Sequence, residues 1–311
     1  MTAKPTILQL CPLSGYLEAG LEERFTVVRW FGLSPAAQAA WLAENGRAVR
    51  AVVTGGHVGC SNELMTALVN LGLIAINGVG VDKVDLGFAR ARAVRVSTTP
   101  GVLTEDVADL AVGLIIGLLR GIAQADAFVR AGSWPAGDRP LGRKVSGRRF
   151  GVVGLGQIGS AIAARLSAFG PVAYMGPAAK PVPYPYFAQA TALAAACDVL
   201  VIACPANAAT HHLVDAEVLR SLGPQGYLVN VSRGSIVDEA ALTTALARGD
   251  LAGAALDVFA NEPHVPEALR NSERVLLTPH VASATVETRK AMADMVLHNL
   301  NSLFTQDQSY G

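Results

Sequence analysis

Between residues 149 and 169 the chain passes from a β-rich apolar run, Arg149 to Val153, directly into Gly154-Leu155-Gly156-Gln157-Ile158-Gly159, and then into Ala161 to Phe169 with helical periodicity. Few folds accept that succession. A strand that turns tightly on glycine and restarts as a helix leaves the first helical N–H groups facing outward, where they bind phosphate. Gly154 permits the turn, Gly156 lets a pyrophosphate approach the backbone, and Gly159 lets helix and strand pack closely. The loop therefore reads as a dinucleotide fingerprint in its required context, with Leu155, Gln157 and Ile158 among its contacts.

The following strand ends in Tyr174-Met175-Gly176-Pro177, without the Asp or Glu that holds a ribose 2′-hydroxyl in NAD-specific sites. Losing that acid removes the repulsion against a 2′-phosphate, and Lys180 is close enough in sequence to offer a positive charge. Gly176 and Pro177 would flank the ribose, and NADP(H) is favoured over NAD(H). A solvated loop lysine is the alternative for Lys180.

Short apolar runs alternate with helical patterns on both sides of the loop. Ahead of it are Ile7 to Leu10, Val27 to Trp30, Ala51 to Thr54, Leu73 to Ile76 and Val94 to Ser97. From it onward are Phe150 to Val153, Val172 to Met175, Val199 to Ala203, Tyr227 to Val231, Gly253 to Leu256 and Val275 to Leu277. Such alternation predicts an α/β chain with two doubly wound parallel sheets. Ser61 predicts a helix over Asn62 to Leu71, with Gly72 as its left-handed cap. The stretch from Thr104 to about Ala131 is too long for an ordinary crossover helix and is placed to run between two lobes. Within it, Val107 to Leu119 reads as a buried helix, too short for a membrane span. A last helix over Thr285 to Phe304 carries Met292, Met295, Val296, Leu300 and Leu303 at helical spacing. Its return to the first lobe gives one domain from residues 1–99 and 284–311, with a nucleotide-binding domain, 100–283, inserted between.

In 311 residues Lys plus Arg balances Asp plus Glu at 25 each. That balance carries no mark of nucleic acid or an anionic membrane and leaves a small molecule as the partner. Met1 to Leu10 lacks the segments of a secretory signal, so the cytoplasm is expected. Cys11, Cys60, Cys197 and Cys204 show no CxxC pairing, which predicts reduced core residues and no metal site. His211 and His212, if extended, point to opposite faces and do not share a metal.

Three chemically distinct residues follow strands of the second series: Arg233, Glu262 and His280. Ligands of open parallel sheets bind beyond the strand carboxyl ends, so these side chains have a physical reason to converge with the nucleotide. Reducing a 2-oxo acid needs a cation for the carboxylate, a proton for the carbonyl oxygen and a hydride for the carbonyl carbon. Arg233 offers a planar charge suited to bidentate carboxylate binding. His280 can donate a proton near neutral pH, and Glu262 beside it would favour the imidazolium. Taken singly, each has a plain alternative: a turn arginine, an exposed loop glutamate, a structural histidine.

At these residues the chain resembles the D-isomer-specific 2-hydroxyacid dehydrogenase family, and within it the glyoxylate/hydroxypyruvate and hydroxyphenylpyruvate reductases. The likeness spans nearly the whole chain. It is carried by Gly78-Val79-Gly80-Val81-Asp82, Leu103-Thr104-Glu105-Asp106, the Gly154 loop, Asn230-Val231-Ser232-Arg233-Gly234, Leu256-Asp257-Val258-Phe259, Glu262-Pro263 and Pro279-His280-Val281-Ala282-Ser283. The resemblance implies a flavodoxin-like substrate domain, an inserted Rossmann domain and an active site in the cleft between them. It implies catalysis by Arg233, Glu262 and His280, and substrate contacts from Val79, Gly80, Arg233, His280 and Ser283. For the nucleotide it implies contacts from Thr104, the glycine loop, Cys204, Pro205, Val231, Ser232, Arg233, Asp257 and His280. It also implies a homodimer with an arm near Gly132-Ser133-Trp134. Trp134 is either an anchor within that arm or a substrate contact, and His57 lines the substrate mouth or is a solvated loop residue. The chain departs from NADPH-preferring members at Gly176-Pro177, where an Arg commonly follows a small polar residue. A nucleotide-sensing, corepressor-like binding protein without significant turnover is the alternative. The lack of a peptide-recruiting extension counts against it, as the lack of a C-terminal regulatory domain counts against a phosphoglycerate dehydrogenase.

Overall fold

The computed structural model describes residues 4–306, which cluster into two compact units. One runs to Leu103 and resumes at Thr285; the other spans Thr104–Ala284. In the first, β1 (Thr6–Gln9), α1 (Gly15–Arg24), β2 (Thr26–Arg29), α2 (Pro35–Asn45), β3 (Ala51–Gly55), α3 (Asn62–Ala67), β4 (Leu73–Asn77), α4 (Leu86–Ala91) and β5 (Arg95–Ser97) follow one another. The side chains of Ser14, Ser34, Ser61 and Asp85 accept backbone N–H groups at the starts of the four helices, which is why each begins there. The parallel order β2-β1-β3-β4-β5 is the flavodoxin-like one.

The second unit opens with α5 (Thr104–Arg120) and α6 (Ile122–Arg130), and continues through β6 (Phe150–Val153), α7 (Gln157–Leu166), β7 (Val172–Met175), β8 (Tyr186–Phe187), α8 (Ala190–Ala196), β9 (Val199–Ile202), α9 (Ala216–Leu222), β10 (Tyr227–Asn230), α10 (Glu239–Arg248), β11 (Gly253–Leu256), α11 (Glu267–Arg270) and β12 (Val275–Leu277). Its parallel sheet runs β12-β11-β10-β9-β6-β7-β8, the Rossmann order with one strand added. Strand order reverses between β9 and β6, so a crevice opens at their carboxyl ends, where Gly154 lies. The chain closes with α12 (Val286–Gln306), whose Ala293, Val296 and Leu300 pack with Ile7, Leu17 and Leu21 of the first unit. Leu8, Met65 and Ile74 fill another cluster of the same unit. Helices on both faces account for the nearly unbroken apolar runs of β3 and β4.

One local expectation differs from the structure, and two features add to the reading. The helix begun by Ser61 stops at Ala67, because Leu68 turns into the core and the Gly72 N–H bonds to Arg50 O as β4 starts. Gly72 is therefore a strand-entry residue whose missing Cβ leaves room for Leu303 Cδ1, 3.3 Å from where it would stand. The stretch from Thr104 to Ala131 is two helices, broken at Gly121 with φ 61°. β8 follows Pro185 directly, and its two residues are too few to show a strand period in the sequence.

All four cysteines are buried and free. Burial pushes the thiols of Cys60 and Cys197 up to about 12 and that of Cys204 to about 11, which keeps them protonated and unreactive. Among the described residues no helix is long and apolar enough to cross a membrane.

Leu300 is fully buried. Replacing it with Ala should lower the unfolding free energy by about 2–5 kcal/mol, read by denaturant titration of the fluorescence of Trp30 and Trp41. An unchanged midpoint would mean that α12 contributes nothing to its unit.

Candidate active site

The glycine loop is built as a phosphate cradle. Gly154 stands at φ 93°, and a Cβ on it would fall 2.6 Å from Cys204 N. A Cβ on Gly156 would meet nothing within 4 Å, and one on Gly159 would overlap the carbonyl oxygen of Gly154. The three glycines thus serve a left-handed turn, an open approach and a tight strand-to-helix contact. Gly156 starts α7 with no side-chain cap, leaving the helix terminus for a ligand. Leu155 is buried while Gln157 is exposed and Ile158 half-buried beside it. These residues fit a dinucleotide.

Beyond β7, Gly176 and Pro177 begin a loop fastened by two tyrosines. The Tyr174 hydroxyl, fully buried, accepts the Lys180 backbone N–H at 2.6 Å, and the Tyr186 hydroxyl donates to Gly176 O at 3.2 Å. Lys180 Nζ then donates to Leu155 O at 2.5 Å, so the one lysine of this loop sits against the glycine loop.

Along the same sheet edge, β10 ends at Asn230, whose amide nitrogen donates to Arg233 O at 2.9 Å and whose amide oxygen accepts the Ser232 N–H at 3.0 Å. That double tie fixes the Val231-Ser232-Arg233 turn. The Ser232 hydroxyl donates to Cys204 O, joining this turn to the Cys204-Pro205 loop, and Arg233 Nη1 donates to Ser232 O at 2.8 Å. Gly234 lies so close to the Phe259–Ala260 backbone that any Cβ would overlap it. The arginine turn and the turn before Glu262 are therefore pressed together.

The Asp257 carboxylate is fully buried and accepts from Thr278 Oγ1 at 2.6 Å, Val281 N at 2.9 Å and Ala282 N at 3.0 Å. His280 N donates to Asp257 O at 2.8 Å, and His280 itself has a left-handed φ of 53°. Asp257, expected among the nucleotide contacts, has its carboxylate occupied in bracing the His280 loop. His280 Nδ1 stands 2.7 Å from Glu262 Oε2, and Glu262 Oε1 accepts the Phe259 N–H at 3.0 Å. Burial pushes the Glu262 carboxyl upward, but the bond to His280, the Phe259 N–H and the charges of His280 and Arg233 outweigh it. Glu262 titrates below the ordinary carboxylate range. With Nδ1 held, the other ring nitrogen, Nε2, is the one left to face a substrate.

Arg233, Glu262 and His280, with Thr104 at the start of α5 and the half-buried Ser283, belong to the second unit. Val79 and Gly80 belong to the first, in the loop after β4, where Gly78 stands at φ 155° and its carbonyl accepts the Thr99 N–H. His57 is exposed, its ring beside Gly55. Trp134 is 62% exposed at the start of a short 3-10 turn after α6. His211 and His212 do not splay: His212 adopts φ 50°, and the rings stack with centroids 4.0 Å apart. Among the described residues no group of three or more His, Cys, Asp or Glu is placed to hold a metal.

Three side chains at this edge escape a reading of the sequence. Asn230 and Tyr174 look like ordinary strand residues, and Glu239, whose carboxylate accepts the Ala260 N–H at 2.7 Å, looks like a first-turn helix acid. Only the buried amide of Asn230 gives a signal, since a polar residue ending an apolar strand needs partners.

Residues 112–282 match the model of the D-isomer specific 2-hydroxyacid dehydrogenase NAD binding domain. Glyoxylate/hydroxypyruvate reductase A of Arabidopsis thaliana is 48% identical over 301 residues, 96% of each chain. The 2-ketogluconate reductase of Gluconobacter oxydans is 44% identical over 98% of this chain and 97% of its own. Among solved structures, an NADPH-dependent glyoxylate/hydroxypyruvate reductase from Sinorhizobium meliloti in complex with NADP and malonate superposes with a TM-score of 0.91, at 43% identity over 97% of this chain and 94% of its own. The glycine cradle, the nicotinamide-nucleotide domain it belongs to and these likenesses together establish that the chain belongs to the D-isomer-specific 2-hydroxyacid dehydrogenase family.

Proposed function

We propose that the protein reduces a small 2-oxo acid of the glyoxylate or hydroxypyruvate type to the D-2-hydroxy acid, with a reduced nicotinamide nucleotide as the second substrate. The observation that carries this is the 2.7 Å bond between His280 Nδ1 and Glu262 Oε2, on the sheet edge that also bears Arg233 and the glycine cradle. When bound, the nucleotide supplies the hydride for the carbonyl carbon. The remaining work belongs to the chain. Arg233 pairs with the substrate carboxylate and draws electron density from the adjacent carbonyl. His280 donates the Nε2 proton to the carbonyl oxygen, and Glu262 holds the ring and favours its charged form before transfer. Ser283 adds a hydroxyl beside the His280 loop. A corepressor-like role finds no support in the relatives, which are named as reductases.

NADPH is the preferred nucleotide in this reading. No acid follows β7 to repel a 2′-phosphate, and Lys180, held at Leu155, is the cation beside that position. The related Sinorhizobium meliloti enzyme is named as NADPH-dependent. Thr104, Cys204, Pro205, Val231 and Ser232 complete the nucleotide contacts. In this reading the protein works as a homodimer in the cytoplasm, and the exposed apolar side chains of Ile122, Val129, Trp134 and Leu141 along α6 and the arm after it support the dimer.

The test is the loss of reduced-nicotinamide absorbance with NADH or NADPH against glyoxylate, hydroxypyruvate, pyruvate, phenylpyruvate and 2-ketogluconate. Turnover on at least one acid is expected, and none on the whole panel would refute the proposal. Lys180→Ala should raise KM for NADPH roughly tenfold while leaving that for NADH within about twofold; equal effects on both would remove Lys180 from the phosphate site.

A further inference from the structure

Glu239 opens α10 beside the cap Asp238, whose carboxylate takes the N–H groups of Ala240 and Ala241. Glu239 reaches elsewhere, to the backbone N–H of Ala260, 21 residues on, at 2.7 Å. The preceding N–H, that of Phe259, goes to Glu262 at 3.0 Å. Two successive donors of one turn are thus divided between two glutamates, and the second glutamate is the partner of His280. The Phe259–Ala260 backbone is also pressed against Gly234, next to Arg233. Glu239 is half-buried, and burial together with the charge of Glu262 pushes its carboxyl above the ordinary range, opposite in direction to Glu262. The charged and polar groups facing the two glutamates are the Phe259 and Ala260 N–H groups, His280 from beyond β12 and Arg233 from beyond β10.

We propose that Glu239 is a positioning residue for the reduction: it fixes the turn that aims Glu262 at His280, and it sets a second negative charge behind that pair. This rests on His280 being the proton donor. The charge favours the protonated ring only while Glu239 is ionised. Burial and the charge of Glu262 raise the Glu239 carboxyl while that of Glu262 is lowered, so Glu239 is neutralised first as pH falls, and the influence of its charge is read on the basic side of the pH profile, where it is ionised.

Two variants separate anchor from charge. Glu239→Gln keeps an oxygen for the Ala260 N–H and removes the charge. It should keep the low-pH plateau of kcat within about twofold and lose activity at a pH roughly half a unit lower on the basic side. Glu239→Ala removes both and should lower kcat on the plateau about tenfold, with KM for the nucleotide nearly unchanged. The low-field NMR signal of the ring N–H between His280 and Glu262, assigned by its loss in Glu262→Gln, needs no substrate. It should persist in Glu239→Gln and broaden in Glu239→Ala. A Glu239→Gln profile that superimposes on the parent, or a Glu239→Ala protein with parental kcat and ring signal and only a lower melting temperature, would overturn the proposal. If the parent protein turns over no 2-oxo acid, the assigned function fails, and the ring signal still decides whether Glu239 holds the pair.

Discussion

A carboxylate sealed inside a protein is costly unless its lone pairs are taken. Asp257 has no exposed surface, and Thr278, Val281 and Ala282 supply its donors. Its backbone N–H bonds to Asn230 O and its carbonyl accepts from His280, so one residue ties together the ends of β10, β11 and β12. The positive φ of His280 is a conformation that a non-glycine residue holds only when its surroundings over-determine it. Asp257 supplies that restraint, and the direction of the His280 ring follows from it.

From this brace the chemistry of the edge extends outward in steps. Glu262 gains its orientation from the Phe259 N–H and gives it to His280; Asn230 sets the turn of Arg233; Gly234 lets that turn meet the one before Glu262. Each contact is short-ranged, yet together they hold an acid, a base and a cation in fixed relation. Under the proposed function, a proton donor so restrained would lose little freedom on reaching the transition state.

Much of this was legible in the sequence because parallel sheets punish ambiguity. Eleven strand positions were marked by apolar runs, and the glycine loop named its own context, since each of Gly154, Gly156 and Gly159 has a separate steric duty. Arg233, Glu262 and His280 stand out in the sequence by their places after strands and by family likeness, and the structure bonds His280 to Glu262. What escaped depended on contacts made across the fold. β8 has no period to read, Gly72 looks like a helix cap until Leu303 is packed beside it, and Glu239 resembles a capping acid until the Ala260 N–H arrives from another loop. The histidine pair differs for a related reason: His212 is left-handed rather than extended, so the two rings stack.

In the proposed reaction the proton comes from His280, held by Glu262. Its sharpest test is to measure, for His280→Ala, both the turnover of the best 2-oxo acid and the affinity for the reduced nucleotide by fluorescence titration. If His280 donates the proton, turnover falls roughly 100-fold to 10,000-fold with nucleotide affinity within a few-fold of the parent. Parental turnover in that variant would contradict it.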